Sequence, residues 1–80
     1  MMVLTLYSRP ECHLCEQMVV ELEPLVAGKG RVDVVDISED PRLSRRFGLQ
    51  IPVLMHEDEE LSRYRLDAGR ITEFIARQTA

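Results

Sequence analysis

The period of the apolar residues changes early in the chain, and that change dictates how the first third must fold. Val3 to Tyr7 is a run of apolar and β-favouring residues, the pattern of a buried strand, and Ser8-Arg9-Pro10-Glu11 ends it. From Cys12 onward the apolar residues recur at helical spacing, through Cys15, Met18, Val19, Leu22, Leu25 and Val26. Glu16, Gln17, Glu21 and Glu23 take the other face, which predicts an amphipathic helix. Cys12-His13-Leu14-Cys15 therefore opens a helix just after a buried strand. Pro24 is expected to bend or end that helix, and Gly28 and Gly30 mark the turn after it.

The rest of the chain alternates in the same manner. Arg31 to Ile37 returns to β-branched residues and predicts a second strand. Ser38 or Asp40 caps a short helix with Pro41 in its first turn, Leu43 and Phe47 facing inward and Gly48 stopping it. Gln50 to Met55 predicts a strand with Pro52 near its start, where a missing ladder donor is tolerated. His56 to Glu60 reads as an acidic hairpin loop, Leu61 to Tyr64 as the return strand, and Asp67 as the cap of a last helix striped by Ile71, Phe74 and Ile75. The order βαβαββα gives an α/β fold, a four-stranded mixed sheet flanked by three helices. Its first two strands are parallel and its hairpin antiparallel. With 80 residues there is room for one core, so residues 1–80 form a single domain.

Two cysteines three positions apart close too short a loop to staple distant parts of the chain, so the pair is chemical rather than architectural. At the first turn of a helix, free N–H groups and the positive end of the helix dipole stabilise a thiolate. An ordinary thiol, with a pKa of about 8.5, is only a few per cent ionised at neutral pH, whereas a depression of about two units makes it mostly anion. Cys12 is thus expected to attack a disulfide, and Cys15, one turn further in, to resolve the mixed intermediate. His13, if protonated, and Arg9 would add positive potential; the plainer reading of both is a solvated surface residue. Pro52 reads most simply as a strand-start proline. A cis peptide there would expose the Ile51 backbone to an extended substrate. Met18 and Met55 read as core filler and His56 as solvated loop.

The formal net charge of -4 disfavours nucleic acid as the main partner. Arg42, Arg45 and Arg46 are read as a solvated helix face in preference to an anion contact. The chain shows no charged leader and no segment of membrane-spanning length, so a cytoplasmic monomer is expected, where such a cysteine pair is catalytic or metal-binding rather than a permanent disulfide.

With these residues placed, the chain resembles the glutaredoxin-like branch of the thioredoxin superfamily over nearly its whole length. The resemblance rests on Leu6-Tyr7-Ser8-Arg9-Pro10-Glu11-Cys12-His13-Leu14-Cys15 together with Gln50-Ile51-Pro52-Val53-Leu54. It implies a thioredoxin-like fold, Cys12 as nucleophile, Cys15 as resolving thiol and a cis Pro52 packed beside them. Arg9, His13, Ile51, Pro52 and Asp67 are the candidate substrate-binding residues, Arg9 and Ile51 matching contact positions of the family. The activity implied is disulfide oxidoreduction on a protein or small-molecule disulfide, with glutathione as co-substrate or thioredoxin reductase as electron source, and with no tightly bound cofactor or metal. Leu61-Ser62-Arg63-Tyr64-Arg65 lacks the glycine pair that holds glutathione in glutaredoxins. Ser62 to Asp67 is similar instead to the Ser-Gly-Phe-Arg-Pro-Asp segment of NrdH-type redoxins, from which Arg63 and Leu66 depart. Short glutaredoxin-family proteins carrying Cys-His-Leu-Cys are the preferred assignment.

Two other classes compete. A metal or iron–sulfur module would use Cys12 and Cys15 with His13 or His56, but adjacent Cys12 and His13 share one tetrahedral ion poorly with Cys15. An adaptor that keeps the fold without turnover would have little use for a cysteine pair at a helix start.

Overall fold

The computed structural model describes residues 1–79. Met2–Ser8 forms strand β1, whose even-numbered side chains are buried while the odd ones are half-buried, as the alternation predicts. His13–Val26 is helix α1 and Gly30–Asp36 strand β2, paired parallel to β1 from Met2↔Gly30 to Ser8↔Asp36. A 3₁₀ turn over Ile37–Glu39 leads into helix α2, Pro41–Phe47. Strands β3, Val53–His56, and β4, Glu59–Arg63, form the antiparallel hairpin, and helix α3 covers Ala68–Thr79. The strand order is β2-β1-β3-β4, with β3 antiparallel to β1. This is the mixed sheet with three helices of a thioredoxin-like fold.

The sheet separates two apolar layers. On one face Leu4 and Leu6 pack with Met18 and Leu22 of α1, with Leu54 and Leu61 of the hairpin, and with Ile71, Phe74 and Ile75 of α3. On the other, Ile37, Phe47, Val53 and Met55 enclose a smaller core joined by Tyr7, Leu43 and Ile51. The Tyr7 and Phe47 rings stack at 4.3 Å, which ties α2 to the end of β1. Val53, Leu54 and Met55 are all buried because β3 is covered on both faces.

Several boundaries differ from the sequence reading, each for a local reason. Ile37 leaves β2 and turns inward, since the Asp36 carboxylate accepts the Ser38 N–H at 2.9 Å and starts the 3₁₀ turn. Asp40, not Ser38, caps α2 through the Arg42 N–H at 2.9 Å. Pro24 does not end α1 at once; the helix runs on to Val26, and the N–H that Pro24 lacks would have faced exposed Val20. The acidic stretch is mostly strand: His56 pairs with Glu59 across a two-residue turn in which Glu57 takes φ +53. His56 is no solvated loop residue, for it is half-buried with its ring 4.9 Å from that of Phe74. A register shift between Leu54 and Met55 adds a residue to β4, so that consecutive Leu61 and Ser62 are both buried.

Candidate active site

The loop from Arg9 to Cys12 links the end of β1 to α1, with Glu11 at φ +61 turning the chain into the helix. Cys12 is the N-cap of α1 in extended conformation; its carbonyl accepts the Glu16 N–H at 3.1 Å and its Sγ accepts the Cys15 N–H at 3.2 Å. The sulfur thus occupies the place that an Asp or Ser oxygen fills at an ordinary helix start, against the positive end of the dipole. Cys12 and Cys15 are joined as a disulfide with Cα atoms 5.2 Å apart. They are unequally accessible: Cys12 is half-buried, while Cys15 retains 3% of its surface.

The strand register brings a second element to this end of the sheet. Tyr7 pairs with Val53, so Pro52 lies one step beyond, level with Ser8, where the chain leaves β1 for the cysteine loop. The Ile51–Pro52 peptide is cis, as the family resemblance implies. Pro52 is buried and its carbonyl accepts the Tyr64 N–H at 2.9 Å.

The remaining predicted residues divide by where their side chains go. His13 is exposed in the first turn of α1. Arg9 is exposed and its guanidinium lies 3.5 Å from the Gly48 carbonyl at the end of α2. The Asp36 carboxyl is held below the usual range, mainly by hydrogen bonds from the Ser38 hydroxyl and N–H, with the Arg9 charge a smaller cause. Arg9 therefore bridges the cysteine loop to α2. Ile51 is half-buried against the smaller core. Asp67 caps α3: its carboxylate accepts the Arg70 N–H at 3.0 Å, its carbonyl accepts the Ile71 N–H at 3.0 Å, and its own N–H donates to Ser62 Oγ at 3.2 Å.

Two residues that the sequence reading passed over stand beside this group. Tyr64, at φ +67, sends its hydroxyl to the Leu49 carbonyl at 3.2 Å and so links the end of β4 to the segment before Ile51. Leu49 itself is 94% exposed. An aromatic residue within the segment compared with NrdH-type redoxins was the available signal for Tyr64; Leu49 offered none. Arg63, where glutaredoxins carry glycine, is held by Glu60 at 2.7 and 3.1 Å. A cleft of about 130 Å³ between α1 and the β4–α3 loop is lined by Leu14, Gln17, Met18, Glu21, Tyr64, Arg65 and Leu66. Among the described residues no three of His, Cys, Asp and Glu are grouped as metal ligands, and His56 ends β3 at the far side from Val53.

Residues 3–76 match the family model of the glutaredoxin-like domain (DUF836). Among solved structures, the chain is 34% identical to a protein of Nitrosomonas europaea determined by NMR, covering 91% of this chain and 89% of that one with a TM-score of 0.79. A structural genomics target from X. campestris is 32% identical in its X-ray structure, covering 92% and 96% with a TM-score of 0.70. Its solution structure gives 36% identity, 96% and 95% coverage and a TM-score of 0.73. No curated protein matches the chain.

Proposed function

Since this chain belongs to the glutaredoxin-like domain family, we propose that it is a dithiol–disulfide oxidoreductase in which Cys12 is the nucleophile and Cys15 the resolving thiol. Family membership and the bonded Cys-x-x-Cys support redox chemistry in general. The observation that carries the finer assignment is the unequal placement of the sulfurs, Cys12 capping the helix with its Sγ on the Cys15 N–H and Cys15 buried behind it.

In the reduced protein, the Cys12 thiolate attacks one sulfur of a substrate disulfide. A mixed disulfide forms and the other substrate sulfur leaves as a thiolate. Cys15, losing its proton, attacks the Cys12 sulfur, releases the second substrate thiolate and closes the intramolecular disulfide. Two electrons have passed to the substrate, and an external thiol reductant must return them. The amide that accompanies the Cys12 sulfur in the oxidised state is already aimed at the anion formed on reduction, so little reorganisation is needed. Arg9 supplies positive charge on the loop that leads to Cys12, His13 a polar ring in the turn between the cysteines, Ile51 and Pro52 the backbone against which an extended substrate lies, and Asp67 the polar end of the site.

The reductant is glutathione or a thioredoxin-reductase-linked dithiol. The Glu60-bound Arg63 favours the second, because a charged, paired side chain stands where glycine would let glutathione approach the backbone. The test follows NADPH consumption with a model disulfide, coupled either to glutathione and glutathione reductase or to thioredoxin and thioredoxin reductase. Turnover is expected in at least one coupling and its loss in Cys12→Ser, while Cys15→Ser should trap a mixed disulfide. Equal rates in wild type and Cys12→Ser would refute the assignment.

A further inference from the structure

The end of α2 and the β4–α3 loop carry an apolar and basic strip, unlike the chain as a whole. Leu49 at 94% exposure and Tyr64 at 45% are two of the few large exposed hydrophobic residues, and the Tyr64–Leu49 hydrogen bond joins them across the segment that precedes Pro52. A single exposed Leu is unremarkable in a folded protein, but a Leu–Tyr pair linked through the backbone before Pro52, with Tyr64 sharing a cleft with Leu14 between the two cysteines, is not a scattered one.

Charge is distributed unevenly too. The chain carries -4 overall, and Glu11 and Glu16 stand exposed beside the cysteine pair, but the carboxylates of the neighbouring turns and of β4 are engaged. Asp36, Asp40 and Asp67 cap helical turns, and Glu60 holds Arg63. Arg45 and Arg46 lie in the last turn of α2, just before Leu49, with Arg46 stacked 4.8 Å over the Phe47 ring. Arg65 follows Tyr64 and lines the cleft that reaches Leu14 of the Cys-His-Leu-Cys turn. Among the described residues no carboxylate forms an ion pair with Arg45, Arg46 or Arg65. Glu21 lines the same cleft, about two turns along α1 from Leu14.

We infer that the strip formed by Leu49 and Tyr64, flanked by Arg45, Arg46 and Arg65, is the docking surface for an acidic polypeptide that presents an apolar side chain next to its disulfide. This deepens the redox reading by naming the partner's chemistry. The apolar side chain covers Leu49 and Tyr64, removing exposed hydrocarbon from water. Carboxylates on either side meet arginines that are not internally neutralised, so complementarity raises the encounter rate and sets register over the Cys12 sulfur. Tyr64 serves as the fixed part of the surface, since both its N–H and its hydroxyl are bonded across to the Leu49–Pro52 segment.

The test uses two synthetic peptides, each with one internal disulfide and a leucine beside one cysteine, flanked by glutamates in one and by lysines in the other, together with a small uncharged disulfide. The reduced protein is expected to reduce the acidic peptide about tenfold faster than the basic one at low salt, with the ratio shrinking as salt rises. In Arg45→Gln/Arg65→Gln the ratio should fall at least threefold while the rate with the small disulfide is unchanged. Leu49→Ser should slow both peptides about fivefold and again spare the small disulfide. A peptide ratio near one in wild type, or one that the double substitution leaves intact, overturns the docking surface even if exchange with the small disulfide proceeds. Absence of Cys12-dependent exchange with all three substrates would instead overturn the redox reading beneath it.

Discussion

Replacing Asp67 separates two roles that meet in one carboxylate. The structure gives it a stabilising role, because its side chain accepts the Arg70 N–H at 3.0 Å and so satisfies one of the free donors opening α3. Asp67→Ala leaves that donor to water and removes a favourable charge from the positive end of the helix, a loss of about 1 kcal/mol for an exposed cap. In a domain of this size that lowers the melting temperature by roughly 4–8 °C. Asp67→Asn keeps an acceptor oxygen in the same place and loses only the charge, so its melting temperature should fall by less than half as much. The second role is the proposed contact with substrate, which depends on the charge rather than on the acceptor. Asp67→Asn should therefore raise KM for a substrate that brings a positively charged group to this position, with little change in stability. Thermal unfolding of the oxidised proteins by circular dichroism, alongside steady-state kinetics, separates the two. Asp67 is no helix cap of consequence if Asp67→Ala melts with the wild type, and its charge rather than its acceptor oxygen holds the helix start if Asp67→Asn is destabilised as much as Asp67→Ala.

Two further outcomes follow from particular residues. A Cβ at Gly30 would overlap the Met2 carbonyl across the parallel pair, so Gly30→Ala should cost about 1–3 kcal/mol in urea unfolding, and a neutral result would contradict the close approach of β1 and β2. The Asp36 carboxyl has its folded pKa lowered by the Ser38 hydroxyl, the Ser38 N–H and Arg9, so its contribution is present above the unfolded value and is lost as pH falls through the lowered one. The difference in melting temperature between wild type and Asp36→Ala should thus be constant above about pH 5 and shrink below about pH 4; a gap that persists in acid would refute the linkage.

How much of this was legible in the sequence depended on whether the signal was local. The strand from Val3, the helix after Cys12 and the cap at Asp67 announced themselves because periodicity and capping act within a few residues. The return strand was misjudged because Glu59 and Glu60 have little intrinsic β preference, and only pairing with His56 and Met55 makes them strand. Asp40 and Ser38 were equally good caps on composition; the tight turn that Asp36 starts decided between them. At the site, the Cys12–Cys15 pair followed from motif and position, and the cis bond before Pro52 from the family resemblance. The direction of Arg9 toward Gly48, and the Tyr64 link to Leu49, join residues 39 and 15 positions apart and leave no local trace.

If the opening of α1 holds the Cys12 sulfur as an anion, the pH dependence of its alkylation in the reduced protein will show it. With an amide on the sulfur and the helix dipole behind it, Cys12 should react with iodoacetamide as a thiol whose ionisation is shifted well below the ordinary thiol range, in Cys15→Ser as in wild type. A titration near the free-thiol value of about 8.5 would show that the helix start leaves Cys12 an ordinary thiol.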